Sequence, residues 1–138
     1  MITRSLLKTF EHVWSGDSAL DQKAKGFADA YKKHLEGGPA ADLPLREGQP
    51  ACVFTLRPIG AETWLRALRL KGADQDYEMV TCGLQSVAGY TCDGAAVSLE
   101  ARDGRITPES LRLIYDAHMF EELAARIMEA SMLHPFRG

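Results

Sequence analysis

Residues 105–133, RITPESLRLIYDAHMFEELAARIMEASML, decide how the chain folds. Thr107 is placed to cap a helix, with Pro108 at its first position and Glu109 in its first turn. Leu111, Ile114, Tyr115 and His118 fall on one face at helical spacing. Phe120, Leu123, Ala124, Ile127 and Ser131 fall on a second, slightly rotated face. The offset predicts two consecutive helices, or one helix kinked near 116–119. Glu121, Glu122, Arg126 and Glu129 occupy the other side, which is read as solvated. The segment is a docking helix for a small domain, and its apolar face exists to be covered by protein. Phe120, Leu123, Ile127, Met128 and Met132 are its candidate partner-binding anchors. The methionines add an adaptable surface.

Working back from that segment, the chain alternates turns with short patterned pieces. Residues 3–14 read as a helix, with Leu6, Phe10 and Val13 on one face. Ser18 then starts a second helix reaching Glu36, with Leu20, Ala24, Phe27, Tyr31 and Leu35 as its stripe. Lys32, Lys33 and His34 suit its C-terminal dipole, and Gly37-Gly38 stops it. Together they predict an N-terminal helical hairpin over 1–36. Residues 37–50, GGPAADLPLREGQP, carry three Gly and three Pro without periodicity and read as a linker. Residues 51–138 then form a small domain, with the hairpin appended to it or packed on it.

Within that domain, Cys52, Phe54 and Leu56 alternate with Val53, Thr55 and Arg57, predicting a strand that Pro58 ends. A short helix follows over 61–70, with Ala61, Trp64, Leu65 and Leu68 inward. A longer one spans 74–87, with Tyr77, Val80, Leu84 and Val87 on its apolar face; Cys82-Gly83 within it reads as close packing. Asp93-Gly94 marks a hairpin between Tyr90–Cys92 and Ala96–Leu99, and Asp103-Gly104 marks a second turn. The fold class expected is α+β, mostly helical, with short strand and hairpin elements and two C-terminal helices.

Composition bounds the function. Sixteen Lys+Arg against nineteen Asp+Glu give a net charge of -3, against the basic excess of a general nucleic-acid binder. No apolar run approaches the roughly 18 residues that span a bilayer. Charges at Arg4, Lys8 and Glu11 interrupt the first apolar pattern, which argues against a signal peptide. Neither nucleic acid nor membrane is expected as a partner.

No motif names a chemistry. Cys52, Cys82 and Cys92 are odd in number and lack CxxC spacing, so they read as reduced, largely buried thiols, with a Cys82–Cys92 bridge the alternative. His12, His34, His118 and His134 stand apart from one another and from any cysteine, as surface or helix-end histidines. No metal site follows. No phosphate loop, GxGxxG or GxSxG is present, so no cofactor is expected. Glu121 and Glu122 diverge by about 100° on a helix and cannot share one substrate. An enzyme assembled from distant residues would draw on His118, Tyr115 and Cys82; no catalytic residue is assigned.

Three stretches together resemble the tail assembly chaperones of tailed bacteriophages. FTLRPIGAETWLRAL at 54–68 is similar to their strand, proline and Glu-containing helix. MVTCGLQSVAGYTCDGAAVSL at 79–99 is similar to their apolar helix and Asp-Gly hairpin. ITPESLRLIYDAHMFEELAARIMEASML at 106–133 resembles their closing helices, with the Glu122-Leu123 step and the final Ser131 and Leu133. The resemblance covers 51–133 and leaves the N-terminal hairpin outside it. It implies a non-enzymatic protein of phage morphogenesis that binds tape measure and tail tube subunits, or other copies of itself. Such a protein acts in the host cytoplasm during assembly, or remains in the virion as a minor head, neck or tail component. The alternative is a small cellular adaptor or regulatory module using the same helices.

Overall fold

Val53–Leu56 is the strand on which the rest is assembled. The computed structural model describes residues 8–132. Its elements, in order, are β1 (Phe10–His12), α1 (Phe27–Leu35), a 3-10 turn (Ala40–Asp42), β2 (Val53–Leu56), α2 (Ala61–Leu68), α3 (Ala73–Gly83), β3 (Leu84–Ala88), the hairpin β4 (Thr91–Cys92) and β5 (Ala95–Ala96), the hairpin β6 (Ala101–Arg102) and β7 (Arg105–Ile106), α4 (Pro108–Arg112) and α5 (Ala117–Met132). The expected α+β class is what the chain forms.

β2 is central in an antiparallel sheet of order β1-β2-β3. Phe10 faces Leu56 and His12 faces Phe54 across one edge; Val53 faces Ala88 and Leu56 faces Leu84 across the other. Side chains alternate along a strand. Phe54 and Leu56 therefore point into the main core with Met79, Val80, Phe120, Leu123 and Ile127, while Val53 packs on a smaller cluster of Val13, Leu20, Ala40 and Leu43. The main core closes where α3 lies on α5. Both helices bury the faces they present, and the exclusion of those side chains from water is the chief force holding the fold.

Several expectations are met for local reasons. Thr107 Oγ1 accepts from Ser110 N at 3.3 Å and Pro108 opens α4. α4 and α5 are separate helices, because Asp116 accepts Met119 N at 2.9 Å through its side chain and starts the second one. Phe120, Leu123, Ala124, Ile127 and Ser131 are all buried, the face that spacing selects. Asp93-Gly94 and Asp103-Gly104 are both two-residue turns with positive φ at each position (52° and 81°, 53° and 74°). That is the twist two-residue hairpin loops require.

Others are corrected. The expected N-terminal hairpin of two helices is not what the described residues form. Residues 3–7 of its first helix lie outside them, and Phe10–His12 is a strand. Phe10, Val13 and Trp14 fit helical spacing, but the sheet edge of β2 offers the backbone of this segment hydrogen bonds across the chain. The second helix begins at Phe27, not Ser18. Asp17 and Asp21 hold the preceding backbone in turns, through Ala19 N to Asp17 Oδ1 (2.9 Å) and Lys23 N to Asp21 Oδ1 (3.2 Å). Gly26 then enters α1 at φ 79°. The stretch read as linker is tied down: Leu45 bridges to Leu20, and Arg46 N donates to Ala19 O at 2.8 Å. The helix expected over 74–87 stops at Gly83, and Leu84–Ala88 is β3; Leu84 and Val87 fit either period, and β2 captures them as a strand.

Candidate functional site

The five expected anchors do not share one surface. Phe120, Leu123 and Ile127 are covered by the chain's own core, Met128 is half-buried, and Met132 is 55% exposed. The helix face the sequence singles out is therefore occupied internally by α3 and β2. Outward-facing apolar side chains lie elsewhere. α2 turns Trp64 and Ala67 inward and leaves Leu65 and Leu68, three residues apart on one face, 60% and 47% exposed. The expectation that Leu65 and Leu68 point inward is thus reversed. A groove of about 490 Å³ runs between the start of α3 and α4, lined by Ala73, Tyr77, Pro108 and Tyr115 with Asp74 and Arg112 at its margins. Tyr115 is half exposed and stands edge-on to Phe120, 4.9 Å between ring centres.

The titratable groups gather in two places. The first is buried between β1, α1 and α5. His12 and His34 are stacked 5.9 Å apart and both are shielded from water, so the surface reading of these two histidines is corrected; His118 is exposed, and His134 lies outside the described residues. Glu122, expected on the solvated face, turns inward. Its Oε2 is 2.7 Å from His12 Nε2 and accepts Ser15 N at 2.9 Å, while Oε1 accepts the Ser15 hydroxyl. Burial pushes that carboxyl up, but the bonds from His12 and Ser15 outweigh it and hold it below its ordinary range. His34 has a defined tautomer. Nε2 accepts from Val13 N at 3.0 Å, so Nδ1 carries the hydrogen donated to Gly38 O at 2.8 Å. Burial lowers its pKa, with the Gly38 carbonyl opposing. Tyr31 Oη donates to Val13 O at 2.7 Å, and desolvation raises its pKa.

This cluster resembles a Ser–His–acid set only in composition. A nucleophilic serine needs its hydroxyl on the imidazole. Here Ser15 donates to the carboxylate, and His12 lies fully buried with Nδ1 unpartnered among the described residues. Its role is to tie the N-terminal strand to α5 across 110 residues of sequence.

The second cluster lies beside the β6–β7 turn. Arg105 grips Glu78 through two parallel bonds, Nη1 to Oε1 at 2.5 Å and Nη2 to Oε2 at 3.0 Å, and Nη1 is 3.3 Å from Cys82 Sγ. The guanidinium's hydrogen bonds hold the Glu78 carboxyl below its usual range, against burial. Burial raises the Cys82 thiol and pushes Cys52 up to about 12, so both stay protonated at neutral pH. All three cysteines are free thiols, without the alternative bridge. His118 and Tyr115 are exposed while Cys82 is buried against Glu78 and Arg105, and no hydrogen bond joins the three.

Among the described residues no helix is long and apolar enough to cross a membrane, and no three His, Cys, Asp or Glu side chains converge as metal ligands. No protein-family model, curated protein or solved structure matches the chain.

Proposed function

We propose that this chain is a non-enzymatic protein-binding protein, an assembly or minor structural component of a tailed phage that contacts other phage structural proteins or further copies of itself. One observation carries the reading: α2 presents Leu65 and Leu68 side by side to water, on a helix whose other face is fully used by the core. Two large aliphatic side chains held together on a rigid helix cost hydration free energy that a partner recovers by covering them. Met132 and the groove at Tyr115 are further exposed apolar surface. A standard interface of about 1,600 Å² is within reach of a chain this size. The phage assignment rests on the resemblance of residues 51–133 to tail assembly chaperones. A cellular adaptor using the same surface is the second reading, and it too rests on α2.

The test pairs size-exclusion chromatography with light scattering on the wild type and on Leu65→Glu/Leu68→Glu. Both positions are exposed, so the variant should unfold within about 0.5 kcal/mol of wild type per site. It should also lose self-association and capture of purified tail tube and tape measure proteins. A wild-type protein that is strictly monomeric and ignores purified tail and head proteins would sink the proposal. Wild-type binding that the double variant loses while it stays folded would place the contact on α2.

A further inference from the structure

We infer that the cavity between Arg57, the start of α2 and the β6–β7 turn binds a phosphate group, as the free ion or as a small phosphomonoester. The cavity holds about 340 Å³ and its lining includes Arg57, Arg66, Arg105, Thr63 and Gly60. Three guanidiniums from β2's end, α2 and β7 thus reach one space. Arg57 is held there by neutral acceptors alone: Nε donates to Cys82 O at 3.2 Å and Nη2 to Gly104 O at 3.0 Å. Among the described residues neither Arg57 nor Arg66 forms an ion pair, while Arg105 is balanced by Glu78. Asp103 is the one carboxylate in the lining, so the cavity carries a positive excess.

The start of α2 borders the cavity through Gly60 and Thr63. Gly60 precedes α2 and has no side chain with which to cap it, so the first amides of this eight-residue helix receive no side-chain acceptor. A helix start with free amides attracts an anion, and planar guanidinium forks match phosphate oxygens. The donors approach from different elements, and a tetrahedral dianion can engage them in different directions at once. A planar carboxylate offers two oxygens in one plane and would leave part of the set unused. The remaining volume admits the small organic body of an ester.

The test is an amide-resolved NMR titration of the full chain with inorganic phosphate, and in parallel with glycerol phosphate, at constant ionic strength balanced with chloride. Saturable movement confined to Gly60–Thr63 and the 103–105 turn is expected. Arg66→Gln removes an exposed guanidinium that makes no hydrogen bond or ion pair among the described residues, so the variant folds, and it should weaken binding about tenfold, the scale of one charge-assisted pair. Arg57→Lys keeps the charge but loses the fork, and should fall between. Tighter binding of the ester than of the free ion would assign the rest of the cavity to the ester's carbon body; equal binding would assign the site to the ion. Shifts that drift linearly with added salt in the wild type, or an Arg66→Gln variant that binds phosphate as tightly as wild type, would overturn the inference.

Discussion

Gly83→Ala should force α3 and α5 apart where Gly83 meets Ile127. A methyl group added at Gly83 would lie 2.5, 2.6 and 2.8 Å from Ile127 Cδ1, Cγ2 and Cγ1, well inside contact distance. Ile127 is completely buried, so it cannot swing out to solvent without leaving the core. Overpacking of this kind costs about 1–3 kcal/mol. Alanine gains up to about 1 kcal/mol over glycine in a helix interior, and less at the last residue of α3, so the net loss should be about 1–2 kcal/mol. Ile127→Ala alone should cost about 2–5 kcal/mol through lost burial and the void it leaves. In the double variant the new methyl enters that void and the clash disappears. The pair should therefore be less destabilised than the sum of the singles by at least about 1 kcal/mol. Urea unfolding followed by far-UV circular dichroism and by the fluorescence of Trp14 and Trp64 gives all four free energies, provided the m-values agree. A neutral Gly83→Ala, or single effects that add to within about 0.5 kcal/mol, would show that the bare glycine is not what lets these helices meet.

Two further outcomes follow from buried polar groups. Ser131 is fully buried, accepts from Ile59 N at 2.9 Å and donates to Ile127 O at 2.7 Å; Ser131→Ala orphans the Ile59 amide and should cost about 1–3 kcal/mol, with faster hydrogen exchange at Ile59 as the specific sign and unchanged exchange there as the contrary result. Because the folded pKa of His34 lies below its ordinary 6.5, the unfolded chain takes up the proton first, so stability is full above that pH and falls as pH drops below it, by at most about 1.4 kcal/mol per pH unit. The depressed Glu122 carboxyl contributes in full above its ordinary 4.5 and is lost only as pH falls through its lower folded value, so comparing urea midpoints at about pH 7.5 and about pH 5.5 leaves Glu122 out of the difference; equal midpoints would contradict the depressed pKa of His34.

The candidate sites were legible in part. Thr107 and the two Asp-Gly turns stand out from residue type and spacing alone, because a helix cap and a two-residue hairpin are each satisfied within a few residues; Ser131 shows only as part of a buried face, since its partner Ile59 lies 72 residues away. Glu122 was indistinguishable from Glu121 in the sequence; the partner that turns it inward, His12, lies 110 residues away. The arginine-lined cavity had no linear signature, since Arg57, Arg66 and Arg105 come from three elements and only Arg105 stands near a marked turn. Of the α5 anchors Phe120, Leu123 and Ile127 are buried while Met132 is exposed; periodicity reports that a face is covered and says nothing of which surface covers it.

From the chain's own letters came the α+β class, the buried stripe of α5, the start of α4 and the positions of both hairpin turns, because each depends on contacts closed locally. Only the folded arrangement decided that Phe10–His12 and Leu84–Ala88 are strands, that His12 and Glu122 meet, and that Leu65 and Leu68 face water. Those outcomes turn on which edge of β2 is open and which face of α2 packs against α3, and the strand and ion-pair pairings join residues far apart in the chain.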